Sequence, residues 1–107
     1  MTTLDDLATL LHETARKSGF WDQPTDDYFI STKLALIHSE VSETLEAVRK
    51  NMGARKIADE VVDILIRTLD LYEGMREAGM VTHSLDDAMD EKAKTNKSRP
   101  KLHGARF

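Results

Sequence analysis

Apolar residues recur at the helical period almost from end to end of this 107-residue chain, and only two prolines and five glycines interrupt them. No segment alternates apolar and polar residues with a period of two, so strands have no competing claim. The expected fold is all-α: an antiparallel bundle of about four helices, in which each apolar stripe must find a partner helix. No linker, internal repeat or low-complexity stretch divides the sequence, and residues 1–107 read as a single helical domain. A chain this short shields one core only moderately from water, so completion by a second subunit is expected.

Local signals place the helix boundaries. Thr3 reads as the N-cap of a first helix with Asp5 and Asp6 in its first turn and Leu4, Leu7 and Leu11 buried; it stops at Gly19. Phe20, Trp21 and Pro24 make a turn, after which Thr25 is the expected cap of a long second helix running to about Asn51, before Gly53. A third helix spans about Ala54 to Ala78 and closes at Gly79. A fourth starts at Ser84, where Ser84-x-x-Asp87 resembles a capping box, and fades near Asn96, ahead of Pro100.

Composition narrows the chemistry. The absence of cysteine removes disulfides, thiolate metal sites and cysteine nucleophiles. No apolar run approaches a membrane span, and acids stand near the N-terminus where a secretory leader is basic, so a cytoplasmic protein is expected. The net charge of −4 conceals an asymmetry: all six Lys and Arg after Glu91 are unaccompanied by acids, leaving the first 91 residues at −10. A basic tail, about residues 95–107, on an acidic body argues against nucleic-acid binding, which uses a broad basic face, and suits a small anion.

On the second helix Ile30, Leu34, Ile37, Val41, Leu45 and Val48 form one apolar stripe, expected to face the core. Glu40 and Glu43 fall on a lesser stripe with Phe29, Lys33, Leu36 and Ala47. The third helix is apolar around most of its circumference and so is expected to be largely buried, with Asp59, Glu60, Asp63, Arg67 and Asp70 on a narrow polar strip. Glu40/Glu43 and Glu60/Asp63 are thus two pairs of acids, each three residues apart. Like charges at that spacing repel by a few tenths of a kcal/mol in water, and a divalent cation offsets this, since Mg²⁺ takes oxygen ligands and keeps places for substrate phosphates. Such pairs also serve simply as the solvated side of a helix; the duplication on successive helices, together with the basic tail, singles these four out.

Glu40-Val-Ser-Glu43, sixteen intervening residues, then Glu60-Val-Val-Asp63 resembles the ExxE-spacer-ExxD signature of the all-α NTP pyrophosphatase superfamily. The lead-in Lys33-Leu-Ala-Leu-Ile-His-Ser39 and the ending Asn96-Lys-Ser-Arg99-Pro100-Lys-Leu-His103-Gly104-Ala-Arg106-Phe107 are similar to its MazG-like branch. Position 106 keeps a positive charge, although the ending lacks the lysine-rich form often met there. The resemblance implies Mg²⁺-dependent cleavage of a nucleoside triphosphate, ribo or deoxy, to the monophosphate and pyrophosphate, with removal of non-canonical nucleotides one such use. It implies a homodimer or homotetramer as well.

On that reading Glu40, Glu43, Glu60 and Asp63 ligate Mg²⁺, for which Mn²⁺ is a substitute, and Glu40 or Glu43 is the general base acting on water. Lys33, Asn96, Lys97, Arg99 and Arg106 are the candidates for phosphate binding, with Lys33 alternatively a partner of Glu40. Arg67 is expected to pair with Asp63 or Asp70. Trp21 reads as a core or interface residue rather than a base-stacking one, and His38 as a histidine satisfied at the core's edge. Three alternatives stay open: a dUTPase-like or phosphoribosyl-ATP-cleaving relative using the same acids, a helical interaction module without turnover, and a metal-binding regulatory protein.

Overall fold

A computed structural model describes residues 2–107; Met1 lies outside the described residues. Four α-helices make up the fold, with no strand among the described residues: α1 (Leu4–Lys17), α2 (Asp27–Arg49), α3 (Ala54–Glu77) and α4 (Leu85–Ser98), followed by one tight turn over Lys101–Gly104. No helix in these residues is long and apolar enough to cross a membrane.

The starts follow local chemistry. Thr3 and Asp6 close a reciprocal capping box on α1, Thr3 Oγ1 accepting from Asp6 N at 3.0 Å. Ser84 accepts from Asp87 N at the head of α4, as expected. The cap of α2 is Asp26, not Thr25: its carboxylate accepts from Phe29 N at 2.8 Å. Both residue types cap helices, and only the register of the first turn chooses between neighbours. Gly53 precedes α3 with φ at 97°, a conformation open to glycine, and offers no side-chain cap.

α3 is the central helix, packed along both α2 and α1, while α4 leans on α1. The core lies among α1, α3 and α4, built on Ala8, Leu69 and Leu85 with Leu4, Leu7, Leu11 and Tyr72 around them. Of the six buried apolar side chains among the described residues, the two long helices supply four, Ile30, Ala47, Leu69 and Leu71. At the α1–α4 corner each helix caps the other. Asp5 accepts from Leu85 N (2.8 Å) and Asp86 N (3.2 Å), and Asp86 accepts from Leu4 N (3.1 Å) and Asp5 N (3.4 Å). Two positive helix ends that would repel are each met by the other's carboxylate.

The largest departure concerns the long helices. The apolar stripe of α2 faces the core only in part: Ile30 is buried and Ile37 half-buried, whereas Leu34, Val41, Leu45 and Val48 are exposed, by 47, 48, 57 and 56%. The protected side of α2 runs between the two stripes: it joins Ile30 and Ile37 of the main stripe to Phe29, Lys33 and Glu40, half-buried, and Ala47, buried, of the lesser one, with Thr44 half-buried among them. α3 is likewise less buried than its composition predicts, with Val61, Val62, Leu65 and Ile66 exposed and Glu60, Leu69, Leu71 and Gly74 buried. The chain exposes 8085 Å², where a monomer of its mass is expected to expose roughly 6,000 Å². Its radius of gyration is 16.0 Å, against about 13 Å for a compact domain of this length.

Candidate metal centre

The seam between α2 and α3 is polar, and that is why it holds a site. Positions 33, 37, 40, 44 and 47 of α2 recur at spacings of four and three, the pattern of a helix packed along a neighbour, and α3 answers with Glu60, Ile64, Arg67, Leu71 and Gly74 at the same spacings. At one end of these series small Ala47 is buried, and at the other Gly74 leaves room for the Trp21 ring. Between them, one oxygen each of Glu40, Glu60 and Asp63 comes within 4.8 Å of the others. Oxygens around an octahedral Mg²⁺ stand roughly 3–4 Å apart, so modest side-chain adjustment closes the set.

Three of the four predicted acids therefore meet, and the fourth adjoins them. Glu43 is exposed, but the charge of Glu40 first, then desolvation and the charge of Glu60, hold its carboxyl above the ordinary 4.5. Each of two cluster acids has a side-chain cation: Arg67 Nε donates to Glu40 Oε1 at 2.7 Å, and Lys56 Nζ lies 2.6 Å from Glu60 Oε1. Arg67 thus reaches across to α2 instead of pairing with Asp63 or Asp70 on its own helix. Glu60 is 5% exposed, and its Oε2 is buried with no hydrogen-bond partner among the described residues. A carboxylate oxygen withdrawn from water without a partner is costly. An all-oxygen donor set with such an atom inside it fits a hard divalent cation.

A cavity of about 330 Å³ opens beside the cluster, with Glu40, Asp63, Arg67, Asp70 and Lys33 on its polar side and Leu11, Phe20 and Ile66 on its apolar side. Lys33 does not pair with Glu40. Its Nζ donates to Phe20 O at 2.6 Å and lies 4.6 Å from the Trp21 ring centroid and 5.0 Å from that of Phe29. Burial lowers the Lys33 ammonium from its ordinary 10.5, with the charge of Asp70 acting in the opposite direction. The tail residues Asn96, Lys97, Arg99 and Arg106 are exposed, and none lines this cavity; Arg99 Nη1 lies 3.2 Å from His103 Nδ1. His38 is exposed rather than lodged at a core edge.

Behind the cavity lies a network that sequence reasoning missed. His12, 2% exposed, sets Nδ1 2.8 Å from Asp70 Oδ1 and Nε2 3.1 Å from Glu77 Oε2. Trp21 Nε1 donates to both oxygens of Asp70 at 2.9 and 3.1 Å. The indole meets His12 and Phe29 edge-on and rests on Gly74, where an added Cβ would come within 2.2 Å of Trp21 Cη2. Trp21 is thus a packing residue, in keeping with its expected role. The available signal was the spacing of Ala8 and His12, four apart on the inner face of α1.

No family model, curated protein or solved structure matches the chain.

Proposed function

We propose that this chain is a MazG-like, Mg²⁺-dependent nucleotide pyrophosphohydrolase that cleaves a nucleoside triphosphate to the monophosphate and pyrophosphate. The observation that carries the reading is the orphaned Glu60 Oε2, buried in a cluster with Glu40 and Asp63, the two of its acids that border the cavity of about 330 Å³. Mg²⁺, or Mn²⁺ in its place, supplies neutralisation of the polyphosphate and polarisation of the scissile bond.

The chain's own groups divide the remaining work. Glu40, Glu60 and Asp63 hold the cation, with Glu43 beside them. Of the two candidate bases Glu43 is the better placed, because Glu40 is engaged by Arg67 whereas Glu43 is exposed and its proton affinity is raised; it accepts the proton of the attacking water. Lys33 offers a cation to the phosphates, and Leu11, Phe20 and Ile66 offer an apolar wall to the nucleoside.

The excess surface and the bared stripes of α2 and α3 support a homodimer, or a tetramer of two such pairs. Obligate interfaces bury roughly 2,000–5,000 Å² counted over both partners, and the excess of two such chains together, about 4,000 Å², falls in that range. In that assembly Asn96, Lys97, Arg99 and Arg106 reach phosphates from the neighbouring subunit. A panel of ribo- and deoxynucleoside triphosphates with Mg²⁺, scored for pyrophosphate, tests the reading: wild type releases it from at least one, and Glu43→Gln loses about 100-fold or more. No release from any member of the panel overturns it.

A further inference from the structure

The bond from Arg67 to Glu40 employs Nε alone; its two terminal nitrogens make no hydrogen bond to any described residue. A guanidinium carries five N–H donors, so four are left. They belong to a side chain 39% exposed that lines the 330 Å³ cavity together with Lys33. Lys56, the other cation on the cluster, lines a second hollow on the other side of the acids, toward the α2–α3 turn, with Glu43, Glu60, Ser42 and Lys50. Only Arg67 of the two stands where Lys33 stands.

Arg67 and a divalent cation compete for one carboxylate. With the cation in place Glu40 is already neutralised, the guanidinium faces a like charge a few ångströms away, and its attraction to Glu40 is cancelled. A planar fork released into an acid-lined cavity pairs best with an anion of bidentate geometry, which phosphate oxygens provide. We infer that Arg67 is an exchangeable counter-cation: it neutralises Glu40 in the cation-free protein, yields that carboxylate when a divalent cation binds, and then grips a polyphosphate oxygen. This rests on reading the acidic cluster as a cation site. It makes binding ordered and coupled, since the cation frees the group that the polyphosphate needs and each ligand thereby raises affinity for the other.

The test uses the full chain and two probes. Mn²⁺ is titrated by the loss of its free-ion EPR signal, and inorganic tripolyphosphate, added as its Mn²⁺ complex, is titrated calorimetrically at saturating Mn²⁺. Without polyphosphate, Arg67→Met binds Mn²⁺ about tenfold more tightly than wild type, because a charge-assisted competitor is gone. With Mn²⁺ present it binds tripolyphosphate about tenfold more weakly. Arg67→Lys, which keeps the charge and loses the fork, falls between in both measurements and carries the comparison should the methionine variant not fold. Opposite signs for the two ligands are the signature, since general damage to the seam weakens both. Unchanged or weaker Mn²⁺ binding in Arg67→Met, or unchanged tripolyphosphate binding, overturns the exchange while leaving the cation site standing. A wild-type protein that takes up no Mn²⁺ overturns both.

Discussion

Glu60 combines two burdens: Oε2 is buried without a partner, and its charge faces those of Glu40 and Asp63. Both weigh on the cation-free fold, and removing the charge relieves them. Glu60→Gln is therefore expected to raise metal-free stability by about 1 kcal/mol, seen as a melting point about 4–8 °C higher. In the same variant Mn²⁺ no longer raises the melting point, whereas in wild type it does so increasingly with concentration. A cation-free Glu60→Gln melting below wild type would show that the orphaned oxygen has a partner after all. Lys56 loses its carboxylate in this variant, but its half-exposed ammonium returns to water at small cost.

Among the elements, the mutual capping of α1 and α4 is the joint that ties the first helix to the last. Desolvation raises the Asp5 carboxyl, but hydrogen bonds from Leu85 N–H and Asp86, with the charge of Arg76, outweigh it and hold Asp5 below its ordinary 3.8. A depressed carboxyl contributes stability at pH values above its unfolded value, and that contribution disappears as pH falls through the folded value. Asp5→Ala should cost about 1–2 kcal/mol near neutral pH, the worth of a good cap. In urea melts at successive pH values, the gap from wild type should narrow as the pH drops below about 4. A gap that stays constant down to pH 2 would mean that the carboxylate charge does not hold this corner together.

For the whole molecule, four large aliphatics of one helix stand half in water, and on the proposed assembly a second subunit covers them. Leu45, 57% exposed at the middle of that stripe, is the position to alter. Sedimentation is expected to find wild type dimeric or larger and Leu45→Glu shifted to monomer, since a carboxylate buried in an apolar interface is opposed by desolvation. If the tail of one subunit serves the cavity of another, the same variant loses pyrophosphate release with its four acids intact. A wild-type chain that sediments as a monomer at micromolar concentration would remove this account of the exposed stripes.

The helices, most of their ends and the identity of the acidic residues were legible in the sequence, because periodicity, caps and breakers act within a few residues of one another. Thr25 against Asp26 shows the resolution of that reading: two adjacent residues compete for one local role. Tertiary structure alone decided that Ile30 and Ile37 of the apolar stripe of α2 are covered while Leu34, Val41, Leu45 and Val48 are not, since burial depends on the element across the way. It also decided that Arg67 reaches Glu40, 27 positions away, and that His12 meets Asp70 and Glu77, because partners so distant in the chain leave no trace in local spacing. What drew the carboxylates together was the seam between two long helices, a property of their packing that neither helix carries by itself.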